Sequence, residues 1–180
     1  MPLPPLCLLT PRLRLRPYEP ADAPAFFALL HHNRDRLRAA FPDRLRAVPI
    51  PENARPVLAE FADDWRTGRF YVLGIWHRAT ANYLGDICLM PQPKGQAEIG
   101  YYLAREAEGQ GYAREALAAI TTLGFEAVQA RRLLIRCYAD NARGQAVAVA
   151  AGFRLLPPAA PRFWPWQTAH AGIRHFVREA

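Results

Sequence analysis

The 180-residue chain predicts a mixed α/β fold built around one sheet. Two observations predict it. Strand-like runs rich in aromatic and branched residues follow one another at 70–76, 83–90 and 97–103, after which helices and strands alternate. Between them, Ala113, Ala116, Leu117, Ile120, Gly124, Ala127 and Val128 recur at the spacing of one helical face over four or more turns. No linker, repeat or low-complexity stretch interrupts the chain, and its length suits a single domain, 1–180, with a real core.

The elements follow in order. Leu13, Leu15 and Pro17 alternate with Arg14 and Arg16, the period of a half-exposed strand. Pro20 suits the first turn of a helix whose apolar face is Phe26, Phe27 and Leu30. The Arg-rich stretch Arg34 to Arg46, broken by Pro42, predicts a short helix and then a loop. Val57, Leu58, Phe61 and Trp65 mark a helix over 52–67, with Gly68 placed to end it. Strands are expected at 70–76 and 83–90, a turn at 91–95, and a third strand of this run at 97–103. The long helix comes next, then a buried strand at 133–138, a helix of small residues at 142–151, and final strands at 153–156 and 172–177. A long segment, 157–170, carrying Phe163, Trp164, Pro165 and Trp166, joins those last two.

Composition excludes several classes. Hydrophobic residues make up 51% and charged residues 22%, the balance of an ordinary globular domain. No apolar run approaches the roughly 20 residues of a membrane helix. The apolar start, Met1 to Leu9, lacks a basic segment and holds three prolines, which makes it a poor signal peptide; a cytoplasmic protein is expected. Cys7, Cys88 and Cys137 are odd in number and widely spaced, and the five histidines show no ligand spacing, so neither disulfides nor a metal is expected. The net charge of +7 is carried without any run of five like charges, which argues against a nucleic-acid-binding tail. All but one of the 23 basic side chains are arginine, Lys94 being the lysine, a bias that points to a GC-rich coding sequence more plainly than to a function.

The chemistry concentrates in Gln96-Ala-Glu-Ile-Gly-Tyr-Tyr-Leu103 and Glu108-Gly-Gln-Gly-Tyr-Ala-Arg-Glu-Ala-Leu117. A glycine-rich turn that opens a helix offers several N–H groups in one direction, together with the positive end of the helix dipole, and so suits phosphate or pyrophosphate. The third glycine of a dinucleotide fingerprint is replaced by Arg114, and no Gly-Lys-Ser/Thr follows for a P-loop. Glu98 lies close enough in sequence to share the cleft as a base.

Three blocks carry a resemblance. Thr10-Pro-Arg-Leu-Arg-Leu-Arg-Pro17 with Ala21-Asp-Ala23 resembles the opening of the GNAT N-acetyltransferases, in their ribosomal-protein N-acetyltransferase (RimJ/RimL-like) branch. Glu98 to Leu103 followed by Gly109 to Leu117 resembles that branch's acetyl-CoA motif, and Asn141 with Gly152-Phe153 resembles its asparagine-to-Gly-Phe segment. Together the blocks span residues 10–155 in the family's order.

The resemblance implies a mainly antiparallel central sheet flanked by helices, in which the third and fourth core strands splay and CoA enters the gap. It implies acetyl transfer from acetyl-CoA to a primary amine, of a protein N-terminus or a small molecule, by direct attack in a ternary complex. Glu98 becomes the catalytic base, acting through water. Gln110, Gly111, Tyr112, Ala113 and Arg114 bind the pyrophosphate, Tyr102 and Leu103 extend the strand along the pantetheine, and Asn141 bonds the same arm or caps the next helix. Glu108 departs from the Arg or Gln the superfamily prefers. Gly144 and Ala148 stand where relatives carry a Ser or Tyr proton donor, leaving water or Tyr138; a non-catalytic acyl-CoA-binding module is the alternative. The acceptor falls to Arg34, Arg36, Arg38, Arg44 and Arg46 and to Phe163–Trp166, the arginines suiting an acidic peptide such as an acidic protein N-terminus. Trp164 and Trp166 could wall a pocket or a dimer contact, so a monomer or a homodimer is expected.

Overall fold

A computed structural model describes residue 4, residues 7–157 and residues 172–180. The predicted segment Phe163–Trp166 therefore lies outside the described residues. Eight strands and six α-helices are described. In chain order they are β1 (Leu8–Leu9), β2 (Leu13–Arg16), α1 (Ala23–His32), α2 (Arg34–Ala40), α3 (Pro42–Ala47), α4 (Ala54–Thr67), β3 (Tyr71–His77), β4 (Tyr83–Gln92) and β5 (Gln96–Leu103). After these come α5 (Tyr112–Glu126), β6 (Arg132–Tyr138), α6 (Ala142–Ala150), β7 (Arg154–Leu155) and β8 (Ile173–Glu179).

The strands form one sheet in the order β1-β2-β3-β4-β5-β6-β8-β7. Every neighbouring pair is antiparallel except β5 and β6, which run parallel. A parallel neighbour cannot be reached through a tight hairpin, and α5 supplies the crossover. Strand alternation then sorts side chains onto two faces. Leu13, Leu15, Leu73, Ile75, Ile87, Leu89, Ile99 and Leu133 pack with α5 and α6, whereas Val72, Trp76, Cys88 and Tyr102 pack with α1 to α4. Each fully buried Leu or Ile contributes about 1.5–3 kcal/mol, so β3 and β4, covered on both faces, anchor the sheet.

Local chemistry explains the helix ends. Pro20 and Pro51 open short 3-10 turns that lead into α1 and α4. Gly68, at φ 72°, closes α4 in the left-handed conformation a C-cap needs. One expectation is corrected. After Pro42 the chain forms helix α3 and not a loop, because proline is well suited to a first helical turn, where its missing N–H costs nothing. Phe41 is the joint between α2 and α3, and Leu37 and Leu45 bury the two helices against the sheet. The strand β4 also runs past the expected end to Gln92, and the two-residue β1, unanticipated, edges the sheet.

Candidate functional site

The central feature is a parting of strands. β5 and β6 pair only from Gln96↔Arg132 to Ile99↔Ile135. Beyond that point β5 stays with β4 as far as Leu103↔Gly85, and β6 stays with β8 as far as Tyr138↔Ile173. The Ala104 N–H donates to the Leu84 carbonyl (2.8 Å) and the Arg131 N–H to the Gly95 carbonyl (2.7 Å), which sets the alternation along β5. The backbone groups of Tyr102 face β4, and those of Tyr101 and Leu103 face the gap. An extended amide ligand could add to that free edge as a further strand. Of the two residues expected along the pantetheine, Leu103 has its backbone toward the gap, as Tyr101 does, and Tyr102 has its backbone toward β4.

A cavity of about 350 Å³ occupies the gap, walled by Glu98, Gly100, Tyr101, Arg136, Tyr138 and Asn141 and roofed by 39–43 at the α2–α3 joint. Arg136 Nε donates to Glu98 Oε1 at 2.6 Å, so the expected base is an ion-paired carboxylate at the edge of the cavity. The Tyr138 hydroxyl donates to the Ala39 carbonyl (2.7 Å), tying the roof to β6. Tyr101 projects to the opposite face, where burial raises its hydroxyl pKa above the ordinary value.

Asn141 caps α6: its Oδ1 accepts from the Gly144 N–H at 2.9 Å. That cap explains the glycine. A Cβ at position 144 would lie 2.6 Å from Asn141 Nδ2. Ala148 is fully buried in the core. Neither position therefore presents a proton donor to the cavity.

The glycine turn leads straight into α5. Gly109 and Gly111 hold φ of 76° and 80°, a region that favours glycine, and Gly111 is the N-cap. Tyr112, Ala113 and Arg114 form the first turn, whose N–H groups have no carbonyl within the helix to bond. An anion is suited to this end by both the free donors and the helix dipole. Glu108, the departure from the family pattern, is held by Arg36 of α2 on one oxygen and by Arg143 of α6 (3.4 Å) on the other. Its charge is thereby offset beside the turn.

Two arrangements beside the site were not anticipated from the sequence. Arg12, just before β2, donates to the Gln110 carbonyl (2.8 Å) and to Glu115 Oε2 (2.7 Å). The second lies beneath the roof. Arg44 was expected to attract an acidic acceptor; instead its side chain is buried 3.6 Å from Asp86 and stacks over Phe61. The Tyr102 and Tyr18 hydroxyls donate to Asp86 Oδ2 at 2.7 and 3.3 Å. Burial pushes the Asp86 carboxyl up, against the opposing pull of Arg44, Tyr102 and Tyr18. Phe41, at the joint, packs edge-on against Tyr102 with ring centres 5.0 Å apart. Buried polar side chains facing one another from β4, β5 and α3 leave no local signature. The alternation along β4, with Asp86 among apolar residues, was the available clue.

The sequence pattern of the acetyltransferase (GNAT) domain matches residues 12–154. YdaF of Bacillus subtilis (strain 168), provisionally named a ribosomal N-acetyltransferase, is 29% identical over 153 residues, covering 82% of this chain and 80% of its own. The ribosomal-protein-serine acetyltransferase of Escherichia coli (strain K12) is 39% identical over 59 residues, 33% of each chain. Among solved structures, the ribosomal-protein-S5-alanine acetyltransferase of Vibrio fischeri superposes with a TM-score of 0.81 at 18% identity, covering 97% of both chains. A RimL ribosomal L7/L12 alpha-N-protein acetyltransferase in complex with coenzyme A superposes at 0.78 with 22% identity, covering 97% of this chain and 96% of its own. At such identities these two structures establish the shared fold.

Proposed function

Because the chain belongs to the GNAT acetyltransferase family, and is therefore an acetyl-CoA-dependent acetyltransferase, we propose that its acceptor is the α-amine of a protein N-terminus. The observation that carries this reading is the parting of β5 and β6 directly behind the glycine turn. It offers a free amide edge for an extended thioester arm at one end and a phosphate anchor at the other. The names of YdaF and of the Escherichia coli relative support a ribosomal-protein terminus. Arg34, exposed on α2, supports an acidic segment following that terminus, while the exposed Arg38 and Arg46 are paired with Asp35 and Asp43 and Arg136 with Glu98. A cytoplasmic location is part of this proposal.

In the proposed mechanism the N–H groups of Gly111, Tyr112, Ala113 and Arg114 hold the pyrophosphate, with Gln110 shaping the turn. Tyr101 and Leu103 align the pantetheine along β5, and Asn141 borders the same arm. The neutral amine attacks the thioester carbonyl, whose developing oxyanion is stabilised by N–H groups at the free edge. Collapse breaks the C–S bond, leaving an amide and a thiolate. Glu98 takes the amine's proton through water, and water returns a proton to the thiolate. An α-amine, with a pKa of about 7.7–8.0, asks less of such a base than a lysine at about 10.4.

Calorimetric titration with acetyl-CoA, followed by mass spectrometry of a set of N-terminal peptides incubated with it, tests the proposal. Acetylation confined to α-amines, and faster on acidic sequences, is expected. Turnover on lysine side chains or polyamines alone would replace the acceptor assignment. A second reading, an acyl-CoA-binding module without turnover, is favoured by the absence of a donor side chain at positions 144 and 148. Any sustained turnover excludes it.

A further inference from the structure

We propose that Arg12 is a positioning residue for acetyl-CoA, one that orients the glycine turn for phosphate and draws the Glu115 charge away from it. The inference rests on Gly111 to Arg114 being the pyrophosphate anchor. Arg12 touches the anchor only from behind. Its Nη1 donates to the Gln110 carbonyl at 2.8 Å. In a trans peptide the carbonyl and the following N–H point in opposite directions, so this bond turns the Gly111 N–H away from Arg12. The guanidinium also lies over the Tyr112 ring, 4.7 Å from its centre.

Glu115 is the second group that Arg12 holds. It stands in the first turn of α5, where a free carboxylate would repel an incoming phosphate. Thr10 Oγ1 and the Arg12 N–H donate to its Oε1 at 2.5 and 2.8 Å, and Arg12 Nε donates to Oε2 at 2.7 Å. The mount is rigid, because Leu13, the next residue, is fully buried and begins β2. The Thr10 hydroxyl additionally accepts from the Leu13 N–H (2.9 Å), and Arg78 grips the Thr10 carbonyl (2.6 Å). One side chain thus sets a loop carbonyl, a helix-start carboxylate and an aromatic ring, all bordering the phosphate site.

The test compares ligands with and without the nucleotide end. Calorimetry gives the Kd for acetyl-CoA, and the ligand-induced rise in Tm reports S-acetylpantetheine at millimolar concentration. Arg12→Met is expected to weaken acetyl-CoA by about tenfold or more, the scale of lost hydrogen bonds to a charged group, while leaving the S-acetylpantetheine response unchanged. Arg12→Met with Glu115→Gln should recover part of the loss, since the stranded carboxylate is gone. An acetyl-CoA Kd within twofold of wild type overturns the proposal, as does equal weakening of both ligands. Should Arg12→Met fail to fold by circular dichroism, Thr10→Val carries the test with a smaller loss of the same selectivity. No binding of acetyl-CoA by the wild type would overturn this proposal together with the anchor assignment beneath it.

Discussion

The Arg44 guanidinium and the Asp86 carboxylate face each other at 3.6 Å beneath the cavity roof, both shielded from water. Removing one partner of such a pair strands the other. Asp86→Ala is therefore expected to cost about 3–5 kcal/mol in urea denaturation, whereas Arg44→Met with Asp86→Leu, which strands no charge and leaves only the Tyr102 hydroxyl without its acceptor, should cost about 1–2 kcal/mol. A double variant as unstable as the single one would show that the pair does more than neutralise itself.

Glu98→Gln removes the proposed base while keeping the shape of the cavity wall. Turnover of a lysine-type amine should fall about 100-fold, within the usual range for general bases, and that of an α-amine less, because part of it is already neutral. Rates and pH profiles that match wild type on both amines would remove Glu98 from the mechanism and leave it as the partner of Arg136.

Glu108 occupies Arg36 and Arg143 at the edge of the phosphate anchor. Glu108→Gln releases both arginines and removes a like charge. Acetyl-CoA binding should tighten about two- to fivefold at low salt, the scale of a partly exposed ion pair. The gain should fade at high salt. Calorimetry at two salt concentrations checks this, and weaker binding in the variant would make Glu108 a contributor to the site.

Gly144→Ser places a hydroxyl where the family resemblance implies a donor. Its Cβ meets Asn141 Nδ2, so the serine should displace the cap of α6 and destabilise the protein by about 1 kcal/mol without raising kcat. A higher kcat at unchanged Tm would show that the serine position is usable after all.

Burial pushes the Glu115 carboxyl up, but the bonds from Thr10 and Arg12 outweigh it and hold the pKa below the ordinary carboxylate range. A carboxyl depressed by folding contributes its full stability above its unfolded value, about 4.3, and loses it as pH falls through the folded value. The stability gap between wild type and Glu115→Gln should therefore narrow as pH drops below about 4. Urea melts from pH 7 to pH 3 measure it; a gap that stays constant would mean that Glu115 titrates alike in both states.

Local patterns wrote much of this molecule legibly. The alternation Leu13-Arg-Leu15, the stripe along α5 and the caps at Gly68 and Gly111 are each properties of a few consecutive residues, so strand, helix and turn could be read from them. Pro42 suits either a loop or a helix start, because proline breaks a helix from within yet also begins one, and only the packing of Leu37 and Leu45 on either side decides between those roles.

The sequence by itself determined most of the elements, their order and the turn suited to a phosphate, because hydrophobic period, proline and glycine act within one or two turns of chain. Only the tertiary structure decided which charges stand free. It buried Arg44 against Asp86, joined Glu98 to Arg136, and set Arg12 behind Gln110 and Glu115 across about a hundred residues of chain. It also decided which amides of β5 face the gap, since that depends on the register with β4 and on where β6 departs. Electrostatic partners and strand edges are relations between distant segments, and no neighbourhood of the sequence contains them.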